Sequence, residues 1–104
     1  MNNSKQSFHG KSYIFDYNGF VARDTFTSDE VIFEVLTGPA KGIKGKAAYK
    51  AQNVGEGKFL ISWQEEDGGT VVHLDDFISG TSHSHYTDKD HNFFVMAGTL
   101  TEVA

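Results

Sequence analysis

Polar and apolar residues alternate along most of this chain, and turn residues interrupt the alternation at a regular interval. Turn clusters fall at Asn18-Gly19, Ser28-Asp29, Gly38-Pro39, Asn53 to Gly57, Asp67-Gly68-Gly69, Ser79-Gly80 and Asp88 to Asn92. A spacing of about ten residues between such clusters, with Phe, Tyr, Val, Ile and Thr filling the gaps, indicates short β-strands joined by tight turns. The pattern predicts eight strands, at 12–17, 20–27, 31–37, 43–52, 59–65, 71–78, 81–87 and 93–103. No sustained period of 3.6 residues marks a helix. Short connections make sequential neighbours antiparallel, and eight strands suffice to close an up-and-down barrel that holds one small ligand. The expected fold is therefore all-β: an eight-stranded antiparallel lipocalin-like barrel over 11–104, preceded by a flexible leader over 1–10.

Side-chain parity assigns the two faces of each strand. In the fourth segment Ile43, Gly45, Ala47, Tyr49 and Ala51 share one face, and Lys44, Lys46 and Lys50 the other. The lysines require water, so the small residues point inward and leave space. In the fifth, Phe59, Ile61 and Trp63 form an inward row that Glu65 continues. The first contributes Tyr13, Phe15 and Tyr17. The eighth is apolar on both faces, with Phe93, Val95 and Ala97 opposite Phe94, Met96 and Leu100, which suggests a partner subunit, a homodimer, on its outer side.

Composition narrows the chemistry. The chain has 104 residues, room for one domain. It has no cysteine, which removes disulfides, thiolate metal sites and thiol nucleophiles. A net charge of -5 argues against nucleic acid as a partner. No apolar run is long enough to span a membrane as a helix, and the polar N-terminus does not resemble a secretory signal, so a cytoplasmic location is expected. No phosphate-binding loop, dinucleotide fingerprint or nucleophile elbow occurs, and no cofactor is expected.

What remains is carboxylate, phenol and imidazole. Glu65, if it faces a lumen lined by Trp63 and Phe59, would have its pKa raised by desolvation and serve as a general acid or base, with Tyr17 assisting. If it lies at the strand end it is merely solvated. Tyr13, Phe15, Tyr49, Phe59, Ile61 and Trp63 are the expected ligand-binding wall. His83 and His85 point the same way and form a possible metal pair with His91, but the surrounding run is polar and ends in a loop, so no metal is assigned. Parity places Asp75 inward beside His73 and Phe77, where a His–Asp contact is either catalytic or structural.

Several segments resemble a known family. Residues 11–20 (Lys-Ser-Tyr-Ile-Phe-Asp-Tyr-Asn-Gly-Phe) are similar to the opening hairpin of MoaF-like proteins, relatives of molybdenum cofactor biosynthesis protein F, and of bacterial phenolic acid decarboxylases. The turn at Thr37 to Gly42, the Ser62-Trp63-Gln64-Glu65 strand, the run Val72 to Phe77 and the closing Phe94 to Leu100 extend the resemblance beyond residue 10. It implies a lipocalin-like (calycin) barrel, closest in type to the small MoaF-related members, whose biochemical role is poorly defined; the inward aromatic rows add the expectation of a small apolar or aromatic ligand. The decarboxylase resemblance implies Glu65 as proton donor, and hence a lyase or isomerase as the alternative to simple binding. That pattern is incomplete, because Phe15 stands where a second tyrosine belongs and no arginine lies near Gly42 to Lys44. A non-catalytic assembly module is the third reading.

Overall fold

The computed structural model describes residues 8–103, and residues 1–7 of the expected leader and Ala104 lie outside them. Eight strands follow one another: β1 (Lys11–Tyr17), β2 (Phe20–Phe26), β3 (Glu30–Val35), β4 (Lys44–Gly55), β5 (Lys58–Gln64), β6 (Thr70–Asp76), β7 (Thr81–Thr87) and β8 (Phe93–Val103). Each pairs antiparallel with its neighbours, and β8 returns to β1 to close a lipocalin-like barrel. Closure leaves no strand edge unpaired. The Asn-Gly turn shows how local sequence sets this path. Tyr17 pairs with Phe20 across two residues, and Asn18 and Gly19 both take positive φ, 59° and 110°. That is the conformation a tight hairpin needs and these two residues tolerate best.

The inward rows follow the expected parity. Tyr13, Phe15 and Tyr17 on β1, Ala47 and Tyr49 on β4, and Phe59, Ile61 and Trp63 on β5 are buried. On β8, Leu100 is buried and Met96 packs against the core, whereas Phe93, Phe94 and Val95 are exposed. The outer side of β8 therefore carries apolar residues in water, as does the outer side of β6 at Val72 and Leu74. Two of the in-strand glycines, Gly45 and Gly98, have different roles. A Cβ on Gly45 would lie 2.5 Å from the Phe33 ring, so the space made by this glycine is already taken by that ring. A Cβ on Gly98 would overlap the Asp16 carbonyl, so the glycine permits a close backbone approach between β8 and the end of β1.

One end of the barrel is solid with aromatic rings. Residues 8–10, the described part of the expected leader, form a turn tied to β2 by a 2.7 Å hydrogen bond from Gly10 N–H to the Phe26 carbonyl. The turn carries Phe8 into the barrel, where it is fully buried. Its ring meets Phe26 and Phe59 edge to face at centroid separations of 5.0 and 5.2 Å and stacks on Phe77 at 5.1 Å. Tyr49 joins this plug and donates its hydroxyl to the Thr27 carbonyl at 2.7 Å.

Candidate functional site

The opposite end is open. A cavity of about 260 Å³ enters there and is walled by Phe15, Phe20, Phe33, Trp63, Val71 and Met96, among others. Its polar groups are Tyr17 from β1, Asp24 from β2, His73 from β6, Ser84 and Tyr86 from β7, and Glu65 and Asp67 just beyond β5. Among the described residues no lysine or arginine belongs to this lining.

Beneath the cavity lies a buried polar network. Ser82 donates to Asp75 at 2.6 Å, and Tyr17 therefore donates its one proton to Ser82 at 2.7 Å. The Nε2 of His73 lies 3.3 Å from the Tyr17 oxygen, and its Nδ1 lies 3.2 Å from Asp75. With the Tyr17 proton already committed, Nε2 is placed to donate to Tyr17 and Nδ1 to Asp75, an arrangement that favours the protonated ring. Burial alone works against that charge. Asp75 and, less strongly, Asp24 more than offset it, so the His73 pKa stands above its ordinary value. Burial also raises the Tyr17 hydroxyl, which keeps its proton and acts as a fixed donor.

Asp24 is different. It is only 4% exposed and makes no hydrogen bond to any described residue. Desolvation pushes its pKa up to about 7; the nearby His73 lowers it, and Asp75 and Glu65 raise it. The indole N–H of Trp63 is buried without a hydrogen-bond partner among the described residues. Glu65 is half-buried at the mouth. Loss of water raises its pKa, the Trp63 N–H favours its charged form without reaching good hydrogen-bond geometry, and Asp67 opposes it.

Four expected site residues thus meet at the cavity: Phe15, Tyr17, Trp63 and Glu65. Four others do not. Tyr13, Tyr49, Phe59 and Ile61 share the inward face but lie in the buried core outside the cavity lining, with Tyr13, Tyr49 and Phe59 against the aromatic plug. His73 and Asp75 face inward together as parity placed them, while His83 and His85 point outward. Among the described residues no group of three His, Asp or Glu side chains is placed to hold a metal. Asp24 is the residue that a reading of the chain passes over. Its signal is parity, because Ala22, Asp24 and Phe26 alternate on the inward side of β2.

A closed up-and-down β-barrel, plugged at one end and hollow at the other, is the class that fold and site define. The model of the MoaF-like family matches residues 9–101, and the chain belongs to that family. A crystal structure described as that of "a putative beta-lactamase from Burkholderia vietnamiensis" superposes with a TM-score of 0.91. It is 33% identical, over 93% of this chain and 96% of that one. No curated protein matches the sequence.

Proposed function

We propose that this barrel binds a small, largely apolar or aromatic molecule in the open end. The observation that carries the reading is the cavity itself, which has aromatic walls, a few convergent polar groups and, beside them, the buried Trp63 indole nitrogen left without a partner. Apolar walls supply affinity, and sparse polar groups fix orientation. At about 260 Å³ the cavity is just below the roughly 300–1,000 Å³ common for drug-sized ligands, so its occupant is about the size of one ring with a short side chain. Trp63, the only tryptophan, lines the cavity and reports on it. A thermal-shift screen of single-ring compounds, followed by Trp63 fluorescence titration, is expected to find ligands that raise the melting temperature and change the emission. Filling the space with Ala22→Phe should abolish both effects; binding that survives this change would place the ligand elsewhere.

A catalytic reading rests on Glu65, a half-buried carboxyl at the cavity mouth with its pKa raised. Such a group can transfer a proton to bound substrate. A phenolic carboxylate, however, finds no lysine or arginine among the described residues of the lining. Hydroxycinnamic acids are therefore expected to come through incubation unchanged. Release of carbon dioxide and a styrene, lost in Glu65→Gln, would establish the catalytic reading instead. The similar Burkholderia protein is described as a putative beta-lactamase, so a chromogenic cephalosporin belongs in the same turnover screen.

A further inference from the structure

We propose that the molecule bound in this cavity is an organic cation: a protonated amine on a small aromatic or aliphatic body, its ammonium group received by the carboxylate of Asp24. The inference rests on the ligand-binding reading above and specifies its chemistry.

Charge in the cavity is one-sided. Asp24, Glu65 and Asp67 line it, and among the described residues no lysine or arginine does. His73 also lines the cavity and favours the ionised form of Asp24, but its ring nitrogens face Asp75 and the Tyr17 oxygen and donate no hydrogen bond to Asp24. Within this set Asp24 stands apart because it is almost wholly buried and accepts no hydrogen bond from any described residue. A buried carboxylate without a donor is costly, and native proteins normally satisfy it. Asp24 lines the cavity, so a molecule held there can supply the donor. An ammonium group supplies both the opposite charge and the hydrogen bonds, and a charge-assisted bond is stronger than a neutral one. The walls suit the rest of such a molecule. Trp63 and Phe15 offer aromatic faces, which attract cations and bury apolar rings alike. The net charge of -5 further favours the approach of a cation over an anion.

A proton is linked to this binding. Without ligand, Asp24 holds its proton to a higher pH than an ordinary carboxyl; an ammonium beside it favours the ionised form. Amine binding therefore releases a proton, and affinity falls as pH drops below the Asp24 pKa. The groups that act on Asp24 are His73 and Asp75 from β6 and Glu65 at the end of β5. Tyr17 keeps its proton throughout, and Glu65 adds a smaller dependence of the same sign.

Three single-ring probes test the proposal: 2-phenylethylamine, 2-phenylethanol and phenylacetate, which differ chiefly in charge. Binding is measured by calorimetry and Trp63 fluorescence on the full chain and on Asp24→Asn. The amine is expected to bind about tenfold or more tightly than the alcohol, with the carboxylate weakest. Its affinity should fall about tenfold between about pH 8 and about pH 5.5. In Asp24→Asn the amine preference and its pH dependence should largely disappear while alcohol binding persists, which also shows that the variant keeps its cavity. If the alcohol or the carboxylate binds as tightly as the amine, the cation proposal fails and the ligand-binding reading stands. If the amine preference survives in Asp24→Asn, the role of Asp24 is wrong. If none of the three binds, both readings fall.

Discussion

Asp24→Asn is expected to make the protein more stable at about pH 8 and to leave it almost unchanged near pH 4. In the folded chain the Asp24 carboxyl holds its proton up to about pH 7, against an ordinary 3.8. A group whose pKa is raised by folding contributes stability that is fully present below the unfolded value and lost as pH climbs through the folded one. The loss thus accumulates between about pH 4 and about pH 7, and on this basis its full size is on the order of 4 kcal/mol. Asparagine keeps the shape without the charge, so it escapes the loss. The gain will be smaller than the full figure, because Asp24 also supports the imidazolium of His73. Urea denaturation of both proteins across this pH range measures the effect. A variant equally destabilised at every pH would mean that Asp24 has a structural partner. Stability given up at one cavity-facing carboxyl is the pattern expected where a site is kept ready for a ligand.

Phe8→Ala should cost about 3–5 kcal/mol, the usual loss for truncating a buried phenylalanine. The ring is fully buried and touches Phe26, Tyr49, Phe59 and Phe77 at once. Removing it leaves a void inside the aromatic plug that flanking side chains cannot fill without leaving their own contacts. Since whole domains are stable by only roughly 5–15 kcal/mol, this one change would consume a large share. Denaturant unfolding at neutral pH checks it. A loss below about 1 kcal/mol would show that residues 8–10 do not close the barrel.

The strand count and the facing of side chains were legible because water sorts the two sides of this barrel sharply. Lys44, Lys46 and Lys50 can only point outward, and that fixes Ala47 and Tyr49 inside. Parity carried Glu65 to the cavity mouth and Asp75 to His73 for the same reason. Parity gives the face but not the depth. Tyr13 and Tyr17 lie on one face of one strand, yet the first packs in the plug and the second bounds the cavity. Depth depends on which end Phe8 enters, and a polar segment beginning at Met1 offers no hint that its eighth residue will do so. Asp24 was hidden by another effect. An acidic residue beside Arg23 draws no attention, and its parity with Ala22 and Phe26 is a weaker cue than a row of lysines; the closed barrel turns Arg23 outward and Asp24 inward.

The Asp24 carboxyl is buried, accepts no hydrogen bond from a described residue and lines the cavity. The most direct measurement is a carbon-detected NMR titration of the Asp24 carboxyl, without ligand and with 2-phenylethylamine. The expected result is a midpoint of about 7 in the free protein that moves clearly downward when the amine is bound. A midpoint near the ordinary 3.8, unmoved by the amine, would contradict the account.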